Sequence, residues 1–323
     1  MKAMLRAAGY GTRLGALGQM LPKPLVPICG YPAIQFGLVA CARAGLRDVI
    51  VNLHHQGHLI REALGDGGAF GVRITYSTEA ELLGTGGGLA HARALLGRGP
   101  VLVMNAKVVA DVDLGAVIAV HEASGADATL VLRDVSDARA WGAIAADGDG
   151  RVVGILDAIA PRPAGGVAAA VERMFTGIQV IGPDILDRFR PVFSDSVRDG
   201  YIPALRQGAD IRAVVHAGYF AEHSTPERYL AGNLALLRQP DLIAHPPGPL
   251  TGIDPRAHID PRAHVVLPVR IDSGAVIEAE ATVGPDVVVG ADAVVAAGAH
   301  VTQSVLWPRA QARGVIHGTI ITA

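Results

Sequence analysis

Between Ile253 and Val301 a β-branched residue returns at every sixth position: Ile253, Ile259, Val265, Ile271, Ile277, Val283, Val289, Val295 and Val301. Alanines follow four places behind most of them, at Ala257, Ala263, Ala275, Ala281, Ala293 and Ala299. A strict six-residue period predicts a parallel β-helix, in which each coil stacks its branched side chain on the one beneath. Such a prism leaves strand faces exposed, so self-association through residues 251–323 is expected.

Upstream the pattern is different. Strands are predicted at Val49–Leu53, Val72–Tyr76, Val101–Met104 and Ala128–Leu132, alternating with helices at Ile34–Val39, Leu59–Leu64, Leu89–Leu96 and Leu114–His121. That alternation predicts an α/β, doubly wound sheet that is parallel through its first half. From 141 to 237 the reading is mixed, with strands at Gly142–Ala145, Val152–Leu156 and Met174–Ile181 and a helix at Pro226–Leu237. A proline-rich stretch from Gln239 to Pro249 separates the two patterns. The expected division is therefore 1–238, a linker at 239–250, and 251–323.

The candidate chemistry starts at the first predicted strand, which runs into Ala7-Ala8-Gly9-Tyr10-Gly11-Thr12-Arg13-Leu14. Small residues and two glycines let backbone N–H groups approach anionic oxygens closely. Arg13 adds a planar fork of donors, and Lys23, between Pro22 and Pro24, adds a point charge on a stiffened loop. A polyphosphate suits such a cradle. Position 14 is Leu, so the dinucleotide fingerprint is incomplete, and no P-loop Gly-Lys-Ser/Thr is present.

Taken together, the Gly9-to-Leu14 segment and Pro22-Lys23-Pro24-Leu25-Val26-Pro27 closely resemble the signature of the sugar-1-phosphate nucleotidyltransferases, including the mannose-1-phosphate guanylyltransferases and N-acetylmuramate-1-phosphate uridylyltransferases. The resemblance runs over the whole chain. It implies a doubly wound mixed sheet of Rossmann-like type (1–238), followed by a left-handed parallel β-helix of hexapeptide repeats. The implied reaction joins a nucleoside triphosphate to a sugar 1-phosphate, giving a nucleotide sugar and pyrophosphate. By the same resemblance, Arg13 and Lys23 act on the phosphates. Ala8, Gly9, Gly11 and Thr12 bind the nucleotide, as do Gly84, Thr85 and Gly86 of the Leu83–Gly88 run. Asn105, Glu172, Thr176 and Gly177 hold the sugar phosphate, and Mg²⁺ is the expected cofactor.

Three departures from the family pattern stand out. The family's metal-binding Asp after the strand Val101–Met104 is replaced by Lys107. An ammonium about 4 Å from a divalent ion, at an effective dielectric near 20, repels it by roughly 8 kcal/mol. At the second metal position the carboxylate is Glu222. The Glu-Lys-Pro of many relatives is missing from Leu156–Ala160, and Arg6 stands where the family has an apolar residue. An active nucleotidyltransferase is one reading; a catalytically impaired relative that binds a nucleotide sugar and regulates or scaffolds a partner is the other.

A net charge of −2 gives no reason to expect nucleic acid as a partner. Lys2, Lys23 and Lys107 are the only lysines among 28 basic residues, which draws attention to Lys107. Cys29 and Cys41 form no disulfide framework and read as reduced thiols. With no signal peptide and no membrane-length apolar run recognised, a cytoplasmic location is expected. His54, His55 and His58 lack accompanying carboxylates or cysteines and are not read as a metal site.

Overall fold

The computed structural model describes residues 1–161 and 169–323. By internal contacts the chain groups into two units. The first is Met1–Tyr10, Gly37–Ala106 and Val112–Gly218; the second is Gly11–Phe36, Lys107–Asp111 and Tyr219–Ala323. The chain passes from one to the other inside the glycine loop, between Tyr10 and Gly11, and again between Ala106 and Lys107.

The first unit is built on a ten-stranded mixed sheet. Its strands are β1 (Lys2–Arg6), β2 (Asp48–Leu53), β3 (Arg73–Thr78), β4 (Val101–Asn105), β5 (Ala128–Arg133), β6 (Ala143–Ala146), β7 (Val152–Ile155), β8 (Ala158–Ile159), β9 (Val171–Ile181) and β10 (Ile211–Val215). The order is β8-β7-β6-β9-β4-β1-β2-β3, with β5 pairing both β9 and β10. Strands β3, β2, β1 and β4 are parallel, as the alternation with helices predicts, whereas β9 runs antiparallel to β4, β5 and β6. Met4, Ile50, Val101, Val103, Leu130 and Ile181 are among the buried apolar side chains of its core. Near-continuous apolar runs such as Val101–Met104 are what a sheet covered on both faces requires.

In the second unit the hexads form a left-handed β-helix of three parallel sheets. Ile259 pairs with Ile277 and Val265 with Val283, so one coil is three hexads. Ile271, Ile277, Val283, Val289, Val295 and Val301 are all sealed inside. The fold continues beyond the sequence period. Coils shorten after Val301, and Leu306, Ala312, Ile316 and Ile321 take over the stacked positions.

Helix α1 (Pro226–Arg238) clamps this unit together. Thr225 caps it by accepting from the Arg228 N–H, and Pro226 sits in its first turn, where no N–H is needed. The Trp307 indole donates to Tyr229 Oη (2.9 Å), and the Tyr229 hydroxyl donates to the Pro27 carbonyl (2.6 Å). Asn233 accepts from the Cys29 N–H and donates to the Tyr229 carbonyl. The proline-rich stretch after α1 is packed as well: Ile243 and Leu250 are buried in the same cluster as Tyr229 and Leu237. Both cysteines are free and buried, and burial pushes each thiol up to about 12, leaving them inert.

Candidate functional site

In the first unit, the end of β1 is anchored by side chains that the sequence patterns did not single out. The Ala7 N–H donates to Asn52 Oδ1 (2.8 Å), and Asn52 Nδ2 donates to Glu79 Oε1 (2.6 Å). The other oxygen of Glu79 accepts from the Leu83 N–H (3.0 Å). This buried relay ties the ends of β1, β2 and β3 to the start of the glycine-rich helix. Its sequence signal is faint: one Asn inside an otherwise apolar strand. Ala8 is buried, Gly9 and Tyr10 are exposed, and a Cβ placed on Gly9 would meet nothing within 4 Å. His54 contacts Tyr10 Oη (3.0 Å) and the Glu79 carbonyl (3.0 Å).

The helix expected from Leu89 begins five residues earlier, spanning Gly84–His91. Glycine is a poor helix former, so packing carries this turn. A Cβ on Gly86 would lie 2.7 Å from Ser194 Oγ, one on Gly88 2.8 Å from Glu79 Oε1, and one on Gly87 would collide with the Val192 carbonyl. Thr85 donates to Asp195 Oδ2 (3.1 Å) and accepts from the Ser196 N–H (2.7 Å). Gly84, Thr85 and Gly86 are thus fitted against residues 192–196.

Strand β9 carries the expected sugar-phosphate residues. Its pairing with β5 shifts register between Phe175 and Gln179, and Gly177, at φ +78°, makes that bulge possible. Asn105 lies directly against Gly177, where any Cβ would strike its amide, and the Arg6 guanidinium comes within 3.8 Å of the same position. Arg6 is half-buried, with its Nε sealed and lacking a partner; burial lowers its pKa, against the opposing pull of Tyr201 and Asp195. Thr176 is buried, its hydroxyl donating to the Val131 carbonyl (2.7 Å), so it braces the bulge. Glu172 is in a two-point ion pair with Arg139 (2.8 and 3.0 Å). The structure brings Asn105 and Gly177 together and commits the side chains of Thr176 and Glu172 to other partners.

In the second unit, Gly11 adopts φ +77° and its carbonyl accepts from the Leu14 N–H, forming the turn Thr12–Leu14 that carries Arg13. Lys23 opens the turn Lys23–Leu25 after extended Pro22, and its stem packs over Gly11, 3.5 Å from where a Cβ would be. Glu222 lies on the short strand Phe220–Glu222, which pairs antiparallel with Val108–Ala110 and so faces the turn bearing Lys107. Lys107 Nζ donates to Glu222 Oε1, and Arg13 Nη2 lies 3.7 Å from the same oxygen. Burial pushes the Glu222 carboxyl up, but Lys107, Ser224 and Arg13 outweigh it and the net shift is downward. Burial lowers Lys23 to about 8, reinforced by Lys107 and Arg13 and opposed by Glu222.

These residues do not fit a divalent metal. Among the described residues no three His, Cys, Asp or Glu side chains come together as a ligand group. Glu222, expected to hold metal, has two cations converging on one oxygen.

Comparison with known proteins identifies the family. The family model for nucleotidyl transferase matches residues 2–157. A mannose-1-phosphate guanyltransferase from Schizosaccharomyces pombe is 31% identical over 268 residues, covering 80% of this chain and 72% of that protein. The chain belongs to the sugar-1-phosphate nucleotidyltransferase family. A mannose-1-phosphate guanylyltransferase from Mycobacterium tuberculosis is 33% identical over 238 residues, which is 73% of this chain; the match spans 64% of the relative's length. The crystal structure of HddC from Yersinia pseudotuberculosis with GMP-PN superposes with a TM-score of 0.60 at 21% identity, covering 73% of this chain and 99% of that one, and bears on the fold. As a nucleotidyltransferase relative the chain groups with enzymes, and the reading as a non-catalytic regulator is not favoured. The family generally uses a divalent metal, which makes the Lys107–Glu222 pair the point at which this member differs.

Proposed function

We propose that the protein transfers a nucleotidyl group from a nucleoside triphosphate to a sugar 1-phosphate. The observation that carries this reading is the cluster of Arg13 and Lys23, from the loop that follows the first strand, with Lys107 and the Glu222 carboxylate. An oxygen of the sugar phosphate attacks the α-phosphorus. The new P–O bond forms as the bond to the bridging α–β oxygen breaks, and pyrophosphate leaves with that electron pair. Phosphoryl-type transfer of this kind asks the protein chiefly for positioning and charge stabilisation. Arg13 and Lys23 meet the charge of the departing pyrophosphate, with backbone N–H groups of Ala8, Gly9, Gly11 and Thr12 as further donors. We assign Gly84, Thr85 and Gly86 to the nucleotide and Asn105 and Gly177 to the sugar phosphate. Thr176 and Glu172 brace the strand that presents Gly177, and Asn105 ends the strand Val101–Asn105.

The named relatives make GTP and mannose 1-phosphate the first pair to test. We infer further that residues 1–238 carry the transfer, that 239–250 join them to the β-helix, and that the protein is cytoplasmic and self-associates through that helix. Among the described residues no helix is long and apolar enough to cross a membrane. Pyrophosphate release should be measured over a matrix of nucleoside triphosphates and sugar 1-phosphates. Release that requires both substrates, with formation of the nucleotide sugar, is expected. Triphosphate hydrolysis without sugar dependence, or no release with any pair, would refute the assignment.

A further inference from the structure

We propose that Lys107 is a built-in cation of the polyphosphate site, exchanging Glu222 for a phosphate oxygen when ligand binds, so that polyphosphate is held without a divalent ion. The inference rests on the nucleotidyltransferase reading only in naming the ligand; the cation cluster itself is a matter of geometry.

Arg13 and Lys107 share one carboxylate, and Lys23, its stem packed over Gly11 beside them, feels the charge of all three. Both Lys107 and Arg13 address Oε1 of Glu222, so neither is fully neutralised. The side chains of Lys107 and Glu222 remain 21% and 18% exposed, enough for an anion to reach them. Lys107 stands on a turn fixed by β-pairing on its C-terminal side, where Val108 faces Glu222. Its ammonium therefore stays near the cluster when its partner changes. A divalent ion would have to displace Lys107 from Glu222 and then sit beside the displaced ammonium, and among the described residues no group of three ligating side chains is there to hold it. A metal-free polyphosphate faces neither obstacle. It carries more negative charge than its divalent complex and offers oxygens to all three cations at once.

The test is binding, read by calorimetry on the full-length protein with GTP and, separately, with inorganic pyrophosphate, in EDTA and in excess Mg²⁺. Binding in EDTA at least as tight as in Mg²⁺ is expected. Lys107→Met should weaken binding in EDTA by about tenfold, the loss of one charge-assisted contact. Lys107→Asp should make binding depend on the divalent ion and bring a bound-Mn²⁺ signal in electron paramagnetic resonance that the unmodified protein lacks. Binding by the unmodified protein that is abolished by EDTA and restored by Mg²⁺ would overturn the inference and leave nucleotidyl transfer standing. Pyrophosphate bound in EDTA, with no nucleoside triphosphate bound under any condition, would support the cation cluster and sink the proposed reaction. The comparison of EDTA with Mg²⁺ on the unmodified chain needs no variant to fold.

Discussion

Lys23 offers a quantitative test of the cation cluster. Burial, then Lys107, then Arg13 bring its ammonium down to about 8, with Glu222 pulling the other way. With that value about one Lys23 in eleven is neutral at pH 7 and about ten in eleven at pH 9. A bound polyphosphate favours the charged form, so the pKa rises in the complex and the two states differ in protonation above pH 8. Affinity for GTP should be flat below that point and fall above it, approaching tenfold per pH unit. The terminal phosphate contributes nothing to this slope, since a phosphate monoester loses its second proton at about pH 6. Calorimetry in two buffers of different ionisation enthalpy should register uptake of about 0.9 proton on binding at pH 9 and about 0.1 at pH 7. Lys23→Arg, which does not titrate in this range, should abolish both the slope and the uptake. Lys107→Met should move the midpoint upward, because it removes a like charge and frees Glu222. For folding the sign is opposite: the unfolded chain holds the Lys23 proton up to its ordinary 10.5, so its contribution to stability rises with pH between 8 and 10.5. Affinity that stays level from pH 7 to 10, or a slope that survives in Lys23→Arg, would refute the reasoning.

Tyr229→Phe should cost about 2–4 kcal/mol, because it orphans the buried Trp307 indole N–H and the Pro27 carbonyl together; urea denaturation followed by tryptophan fluorescence checks it, and a change below about 0.5 kcal/mol would contradict the clamp described for α1. Gly87→Ala drives a methyl into the Val192 carbonyl, which cannot rotate away, and should destabilise by about 1–3 kcal/mol. Gly9→Ala opens onto free space and should leave stability unchanged while weakening nucleotide binding; equal affinity in that variant would remove Gly9 from the phosphate cradle.

The parts of this molecule legible in the sequence are those whose signal is local. The hexads specify the β-helix because every coil repeats the same stacking, and the reading stops at Val301 because the last coils shorten and keep no fixed period. The parallel strands could be read from alternation with helices. The antiparallel placement of β9 between β4 and β6 could not, since it depends on pairing between distant segments. The Gly84 helix start was hidden because glycine's low propensity argues for a loop, and the packing that overrides it comes from residues 189–196. Asn52 and Glu79 went unread for the same reason: their meaning lies in joining three elements, not in any motif.

Positions 107 and 222 were legible separately, as a reversed charge at one metal position and a carboxylate at the other. The structure makes them one unit. A lysine alone beside Arg13 and Lys23 would add a third repelling cation to a partly buried cluster, lowering Lys23 further. The short strand pairing of Glu222 with Val108 sets the carboxylate across from the lysine turn, and the ammonium reaches it directly. With the pair formed, Glu222 partly offsets the charge reversal at 107, and on the proposed reading the ammonium becomes available when a competing anion arrives. The contact between Lys107 and Glu222 is the physical ground on which the proposed reading of Lys107 as a phosphate-site cation stands.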